Sequence, residues 1–248
     1  MPQIFSRGAN LVPAQIIAIL AILGAAATGT VWYYFTPKYT KVGYMPPQPI
    51  PFSHKIHAGQ LGLDCRYCHS FVETAAHSNI PAAQVCMNCH SQVQKDNPKL
   101  EPLRQAWATG QPIPWVQIHK TPDYAYFNHS VHVNRGVSCV SCHGRIDQME
   151  VVYQEKPLSM KWCLECHRAP ENALRPLDKV TDLAWTPPTN GGELAALLKA
   201  EMGPGPGQLN VKADSKLKPD EAQLLMGNFL KSRRDIHAPD ANCAGCHR

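Results

Sequence analysis

The stretch Cys65–His69 reads CRYCH, and the same pattern of Cys, two other residues, Cys and His returns four more times. The further copies are CMNCH at Cys86–His90, CVSCH at Cys139–His143, CLECH at Cys163–His167 and CAGCH at Cys243–His247. The chain of 248 residues contains ten cysteines, and all of them lie in these pairs. A histidine follows every pair, so chance does not explain the pattern.

The spacing of these residues is the attachment signature of c-type haem. Two thiols at this spacing form thioether bonds to the two vinyl groups of one porphyrin, and the next residue points its imidazole at the iron. Zinc sites, thioredoxin-like redox pairs and a disulfide scaffold are the alternatives, but none of them needs the following histidine. The sequence therefore predicts five covalently bound haem c groups and no other metal.

Each predicted haem site has the same parts. The covalent attachment residues are Cys65, Cys68, Cys86, Cys89, Cys139, Cys142, Cys163, Cys166, Cys243 and Cys246. The proximal iron ligands are His69, His90, His143, His167 and His247.

The composition suits a core that is built from cofactors. With 22 prolines, 16 glycines and 8% aromatic residues, the chain is poor in the residues of long regular elements and of a large aliphatic interior. Apolar porphyrin discs can supply the missing surface, as metals and cross-links do in other small domains. We therefore expect a multihaem cytochrome c fold, mostly α with extensive loop and little regular structure, whose core is formed by stacked haems. A haemless chain is expected to be unfolded.

A second motif precedes the haem motifs twice, as FSHKIH at Phe52–His57 and FNHSVH at Phe127–His132. Residues three apart lie on one face of a helical turn at different heights, so each histidine pair can reach two neighbouring haems. The predicted distal iron ligands are His54, His57, His129 and His132. The nearest assignment pairs them in chain order with CRYCH, CMNCH, CVSCH and CLECH, although the pairing within each copy stays open.

One iron still lacks a distal ligand. His77 lies eight residues after His69, whereas the second copy has Met149 six residues after His143 and no histidine in the comparable stretch. Methionine is the other common axial ligand, and it raises the haem potential relative to two histidines. We predict Met149 as the remaining ligand, with His77, His119 and His237 as lesser candidates. The histidines left over are expected to hydrogen-bond haem propionates.

The motifs divide the chain into a repeat and its flanks, because corresponding motifs start 75, 74 and 77 residues apart. We expect two di-haem modules, at 52–126 and 127–170, followed by a wrapping segment with the fifth haem site at 171–248. Within that last segment, Glu193–Met202 and Asp220–Arg233 are predicted helices. The N-terminal flank is predicted as a cytoplasmic stretch 1–9, a transmembrane signal-anchor helix 10–36 and a Pro-rich spacer 37–51.

The anchor prediction rests on a charge-free stretch from Gly8 to Pro37. Its run Ile16–Phe35 is long enough to cross a bilayer, and Trp32 begins an aromatic cluster at one end. A cleaved signal peptide is the alternative, but the apolar run continues past the small residues Ala25–Ala27. Haem c is attached outside the bacterial inner (plasma) membrane, where oxidised thiols are tolerated. We therefore expect a single-pass protein with its haem domain on the periplasmic side.

The two FxHxxH…CxxCH…CxxCH units resemble the small class III multihaem cytochromes, the cytochrome c7 and c3 group. The whole chain, with its N-terminal helix, two units and terminal CxxCH, resembles the ActA family of pentahaem, membrane-anchored subunits of alternative complex III. The segments WVQIHKTPDYAYFNHSVH (115–132) and CHGRIDQMEVVYQ (142–154) are part of this resemblance. Residues 168–239 add little to it.

The resemblance implies a non-catalytic electron-transfer subunit of a quinol-oxidising respiratory or photosynthetic complex. Iron–sulfur and polytopic quinol-binding subunits of the same membrane complex would supply the electrons. A mono-haem cytochrome c, a copper protein or an oxidase would accept them.

Two other functions stay open. A periplasmic multihaem reductase for nitrite, hydroxylamine or sulfur oxyanions would need a five-coordinate haem, whereas here the ligand supply exceeds the demand and no motif replaces its His with Lys. A NapC/NrfH-like quinol dehydrogenase acting alone also has one N-terminal helix, but the FxHxxH repeat fits it poorly. The formal net charge of +5 omits the haem propionates, so it does not indicate a nucleic-acid partner. Membrane lipid is the expected non-protein partner.

Overall fold

A computed structural model of the chain describes residues 6–35, 40–202, 211–237 and 243–247. The side chains of Arg7, Met202 and Cys243 are not described. Parts of the predicted cytoplasmic stretch, of the anchor's end and of the spacer, and the predicted attachment thiol of Cys243, therefore lie outside the described residues.

About half of the chain is helical. The described α-helices are α1 (Val12–Phe35), α2 (Cys65–Cys68), α3 (Ala83–His90), α4 (Glu101–Thr109), α5 (His129–Asn134), α6 (Cys139–His143), α7 (Met160–Arg168), α8 (Gly191–Met202), α9 (Pro219–Arg233) and α10 (Cys243–Cys246). Short 3-10 turns lie at Arg7–Leu11, Pro98–Leu100, Ile146–Gln148, Pro170–Asn172 and Leu177–Lys179, and a π-helical turn at Lys55–Gln60. Within the described ranges there is no sheet, and the β-type contacts are isolated antiparallel bridges.

The chain divides into two compact units, Met1–Gly43 and Tyr44–Arg248. The first unit contains α1, which forms with the preceding 3-10 turn an apolar helix over Gly8–Phe35, with 28 residues and a mean hydropathy of 2.1. At 1.5 Å per residue such a helix exceeds the roughly 30 Å hydrocarbon core of a bilayer. Among the described residues it is the one helix long and apolar enough to cross a membrane.

In the second unit, every CxxCH motif lies on a short helix or at its end. A helical turn brings its two cysteines, three residues apart, onto one face, as attachment to one porphyrin requires. Polar side chains begin two of these helices: Asp64 Oδ1 accepts a hydrogen bond from Arg66 N at 2.8 Å, and Ser159 Oγ accepts one from Trp162 N at 3.4 Å. Such N-caps satisfy amide groups that a short helix leaves free.

An aliphatic cluster lies between the fourth and fifth haem motifs of the chain, in the segment that contains α8 and α9. Both helices lie where the sequence predicts helices, and α9 begins at Pro219, where the Glu221 carboxylate accepts a hydrogen bond from Lys218 N at 3.0 Å. The buried members of the cluster are Leu174, Leu194, Leu198, Ala222, Met226 and Leu230. The expectation of a core made by haems alone did not anticipate this cluster, because its residues come from three separated stretches.

Close backbone contact joins α9 to the turn that follows α7. Gln223 Nε2 donates hydrogen bonds to the carbonyls of Glu171 and Leu174, both at 3.0 Å, and Lys231 forms an ion pair with Glu171 at 2.9 Å. A Cβ atom added at Gly227 would lie 1.9 Å from the Glu171 carbonyl oxygen. This approach holds α9 against the end of the CLECH helix.

Replacement of Gly227 by alanine is expected to lower the melting temperature of the haem-loaded protein by several degrees. The new methyl group would meet backbone that cannot rotate away, and overpacking of this kind costs about 1–3 kcal/mol. Thermal unfolding followed by circular dichroism measures the effect. The exposed neighbour Asn228→Ala is the control, and equal melting temperatures for the two variants would contradict the close contact.

Candidate functional site

The phenylalanine that opens each FxHxxH motif contacts both of its histidines. The Phe52 ring lies 4.4 Å from the His57 ring in a stacked arrangement and 4.8 Å from the His54 ring edge to face. In the second copy, Phe127 stacks on His132 and meets His129 edge to face, both with ring centroids 4.8 Å apart. The phenyl ring thus limits the orientations of both imidazoles, and this limit is the same in the two copies.

A backbone hydrogen bond also fixes the second histidine of each motif. Nδ1 of His57 donates to the carbonyl of Ser53 at 2.8 Å, and Nδ1 of His132 donates to that of Asn128 at 2.7 Å. Ser53 and Asn128 occupy the same motif position, and their side chains accept from backbone N–H groups of the turn that follows. The motif therefore orients its own second imidazole locally.

The structure brings each of these four histidines opposite the histidine of a CxxCH motif. Ring centroids are 6.5 Å apart for His54 and His69 and also for His129 and His143, and these rings are nearly parallel, at 4° and 11°. The separation is 6.2 Å for His57 with His90 and for His132 with His167, where the rings are tilted by 59° and 34°. The distal ligand assignment by chain order names these same four pairs.

The ring separations fit an iron held between two imidazoles. A metal–imidazole bond of about 2 Å on each side, added to the distance from nitrogen to ring centre, requires roughly the separation seen here. Direct contact between two imidazoles would bring the rings closer, as for His119 and His143, whose centroids lie 4.4 Å apart. The four pairs therefore have the spacing that a haem group needs.

Hydrogen bonds to Nδ1 of three further histidines leave Nε2 available to bind an iron. Nδ1 of His69 bonds to Asn79 O at 2.7 Å, that of His90 to Val93 O at 2.9 Å and that of His129 to Ala76 O at 2.9 Å. A carbonyl only accepts, so Nδ1 carries a hydrogen in each of these rings, and Nε2 is the nitrogen left to bind an iron. Such a bond on the other ring nitrogen orients metal-ligating histidines in general.

Burial favours the neutral form of His54 and His143. It lowers the pKa of His54 to about 4 and that of His143 to about 3, and neighbouring histidines add to both shifts. Nδ1 of His54 is itself buried without a hydrogen-bond partner among the described residues. Neutral imidazole is the form that binds a metal, so at neutral pH these side chains are ready to act as ligands.

Apolar side chains beside the motifs are exposed, as expected for surface that haem groups cover. Tyr67, Phe71, Ile80 and Tyr124 expose 48%, 54%, 56% and 58% of their surface. Large apolar patches on soluble domains generally mark sites that bind something. Together with the paired imidazoles and the unbridged cysteines, these patches fit covalent haem at the motifs.

The fifth motif, CAGCH, packs on the segment Tyr124–Tyr126. Tyr126 N donates to the Cys246 carbonyl at 2.7 Å, Ala125 and His247 form an antiparallel bridge, and the Tyr124 ring lies 5.4 Å from that of His247. This segment leads directly into the FNHSVH motif. The last haem site is thereby fixed to the second copy.

The candidates for the remaining distal ligand lie in different places. Met149 is buried, and its carbonyl accepts a hydrogen bond from Lys55 N at 3.1 Å, beside the first FxHxxH motif. His119 lies edge to face against His143, and its buried Nε2 has no partner among the described residues. His77 is exposed beside Ala76, and His237 is 84% exposed and pairs with Asp235. The assignment of Met149 stays a prediction.

Two segments of the chain, 50–106 and 125–184, match the family model for cytochrome c7 and related cytochrome c. Each segment contains one FxHxxH motif and two CxxCH motifs, and CAGCH lies outside both.

The chain is also similar to a curated protein, the multiheme cytochrome c subunit of menaquinone reductase from Nitratidesulfovibrio vulgaris (strain Hildenborough). The two are 33% identical over 97 residues, which is 39% of this chain and 45% of the relative. The match thus spans less than half of the relative's length.

Paired motifs, facing imidazoles and the family match together define a multihaem c-type cytochrome, a class of electron-transport protein that binds haem c covalently. More closely, the fold is cytochrome c7-like, with about half of the chain helical, no sheet among the described residues, and an N-terminal apolar helix that could span a membrane.

Several functional contacts were not predicted from the sequence. Phe52 and Phe127 were noted only as part of the motif, and their repetition was the available signal for a role in orienting the histidines. The residue after each Phe, Ser53 or Asn128, also repeats in position and in its ability to cap a turn. The contacts of Ala76 and Tyr126 had no such signal, because they join stretches far apart in the chain.

Replacement of His132 by alanine should convert one haem from low-spin to five-coordinate high-spin, since the ring facing His167 is lost. Electron paramagnetic resonance of the oxidised protein measures the new signal, and added imidazole should remove it. Val131→Ala, an exposed residue of the same helix, is the matched control and should leave the spectrum unchanged. A His132 variant with full haem content and only low-spin signals would contradict the ligand assignment.

The Met149 assignment is tested by the similar-sized substitution Met149→Leu. If Met149 binds an iron, one haem becomes high-spin or shifts to a lower potential while the others keep theirs. A redox titration with visible spectra measures both, with the exposed Met160→Leu as control. An unchanged Met149→Leu spectrum would show that this side chain only packs.

Proposed function

We propose that the chain is the membrane-anchored pentahaem electron-transfer subunit of a quinol-oxidising complex of the alternative complex III type, related to ActA. The observation that supports it most directly is the closed geometry of the sites. Four of the five motif histidines face a second imidazole, with ring centroids 6.2–6.5 Å apart, so two imidazoles would hold an iron at each of these sites. A site held in this way would relay electrons and leave no position for a substrate.

Haem c supplies one-electron redox chemistry, and the residues of this chain set the conditions for it. The cysteines would hold each group in place, and the paired imidazoles would bind its iron. Phe52, Phe127 and the carbonyls of Ser53 and Asn128 hold the imidazoles in one orientation. Ligands that do not move keep the reorganisation that accompanies each electron transfer small.

The link to quinol rests on two observations. The curated relative is a subunit of a menaquinone reductase by name. The N-terminal helix Gly8–Phe35 could anchor the haem unit, Tyr44–Arg248, at a membrane where quinones reside. We infer that the chain belongs to a membrane complex with iron–sulfur and polytopic quinol-binding subunits. The haem unit lies on the periplasmic side in this proposal, and a mono-haem cytochrome c, a copper protein or an oxidase takes the electrons.

The competing functions make different demands on the sites. A reductase for nitrite or hydroxylamine needs an iron with an open axial position, and CAGCH is the motif whose facing ligand is still unassigned. A NapC/NrfH-like dehydrogenase needs a quinol site formed by this chain alone. The proposed relay needs neither of these features.

Isolation of the native membrane complex in mild detergent tests the proposed function. We expect iron–sulfur and polytopic subunits to co-purify, and we expect quinol oxidation by the complex but not by the separated cytochrome subunit. Mass spectrometry identifies the chains, and haem reduction by a menaquinol analogue measures the activity. Quinol oxidation by the separated subunit would favour the dehydrogenase, and a high-spin haem that binds nitrite would favour the reductase.

A further inference from the structure

Contacts among the CxxCH motifs place them in an order that differs from their order in the chain. Within the first copy, Asn88 Nδ2 of CMNCH donates to Tyr67 Oη of CRYCH at 3.1 Å. His54 and His57, on one turn, face His69 and His90 of these same two motifs. CRYCH and CMNCH are therefore neighbours.

The second copy repeats this relation between CVSCH and CLECH. His129 and His132 lie three residues apart on α5 and face His143 and His167. Residues at this spacing on a helix have Cβ atoms about 5–6 Å apart, so the two sites they serve must adjoin.

The two copies meet at the first motif of each. The side chains of Cys65 and Cys139, which hold the same position in CRYCH and CVSCH, lie close enough to interact with each other. Both motifs also bind one short stretch: Cys65 Sγ lies 4.0 Å from Thr181 O, and Cys139 N donates to Val180 O at 3.3 Å. CRYCH and CVSCH thus form the junction.

Reciprocal contacts of the histidine segments close the junction. The α5 segment of the second copy bonds to the stretch after CRYCH, through Ser130 N to Ala75 O at 3.2 Å and His129 Nδ1 to Ala76 O at 2.9 Å. In the first copy, Lys55 N donates a hydrogen bond to the carbonyl of Met149, which lies after CVSCH. A Cβ atom at Gly59 would lie 2.2 Å from Asp147 O, so the approach is close on this side as well.

CAGCH adjoins CLECH at the far side of the second copy. Tyr126 N binds the Cys246 carbonyl, and the next residue, Phe127, stacks on His132, which faces His167 of CLECH.

We propose that the chain holds its haem sites in one linear series, CMNCH, CRYCH, CVSCH, CLECH and CAGCH, with CMNCH and CAGCH at the two ends. The chain order of the first copy is therefore reversed in space. Because electron transfer weakens steeply with distance, a donor and an acceptor partner would exchange electrons at the CMNCH and CAGCH ends. The inference rests on the five-haem relay proposed above, but it does not depend on the quinol link.

Cryo-electron microscopy of the haem-loaded native complex tests the series, because each iron is assigned through its own CxxCH motif. We expect the shortest iron–iron distance between the two copies to join the CRYCH and CVSCH sites. The CMNCH and CAGCH irons should have one near neighbour each, namely CRYCH and CLECH. A shortest distance between copies that involves CMNCH or CLECH, or a CAGCH iron nearest any motif but CLECH, would overturn the proposal.

A solution experiment compares the matched variants His54→Met and His57→Met. Methionine raises the potential of its haem, so this haem is reduced first, and its added electron lowers the potentials of adjoining haems. His54→Met changes the CRYCH site, which has two neighbours in the series, and should lower the potentials of two other haems. His57→Met changes the CMNCH site at one end and should lower the potential of one other haem. The reverse pattern would contradict the series.

The iron order and the quinol link can fail separately. A wrong order in the haem-loaded complex leaves its quinol oxidation intact, whereas loss of the quinol link leaves the iron distances unchanged. If methionine does not bind in either variant, the iron distances alone decide.

Discussion

The pairing of two imidazole rings at a fixed separation is the constraint on which the rest of this structure depends. At four places, rings from different parts of the chain must keep their centroids 6.2–6.5 Å apart. Carbonyl bonds to Nδ1 and stacking on Phe52 and Phe127 keep the rings in place. If each pair encloses a haem, as proposed, the same contacts that form the cofactor sites also build the interior of the protein.

This constraint explains why short helices suffice around the haem motifs. A haem bound at two cysteines and between two histidines would cross-link stretches that lie far apart, and its apolar faces would cover exposed side chains such as Phe71 and Tyr124. Short helical turns suffice to present the ligands. Between the fourth and fifth haem motifs the chain packs in the ordinary way, and Leu174, Leu194, Met226 and Leu230 form a small aliphatic cluster around α8 and α9.

The repeat gives the second unit an internal symmetry that also bears on its function. Equivalent residues Cys65 and Cys139 meet at the junction, and each copy sends its histidine segment to the stretch after the first haem motif of the other. The symmetry is incomplete: His129 Nδ1 bonds to Ala76 O, while the corresponding Nδ1 of His54 is buried without a partner among the described residues. The first predicted haem site of each copy thus has a histidine with different surroundings.

The sequence by itself determined the cofactor chemistry, the membrane-compatible helix and the repeat, because CxxCH, FxHxxH and an uninterrupted apolar run are local patterns whose meaning depends on spacing alone. Even the predicted histidine pairs follow from chain order, and the structure brings those rings together. Only the tertiary structure decided that CRYCH meets CVSCH, that CAGCH packs on Tyr124–Tyr126 and that Met149 lies beside Lys55. These contacts join residues up to about 120 positions apart through backbone carbonyls, which every residue carries, and so they leave no trace in the pattern of side chains.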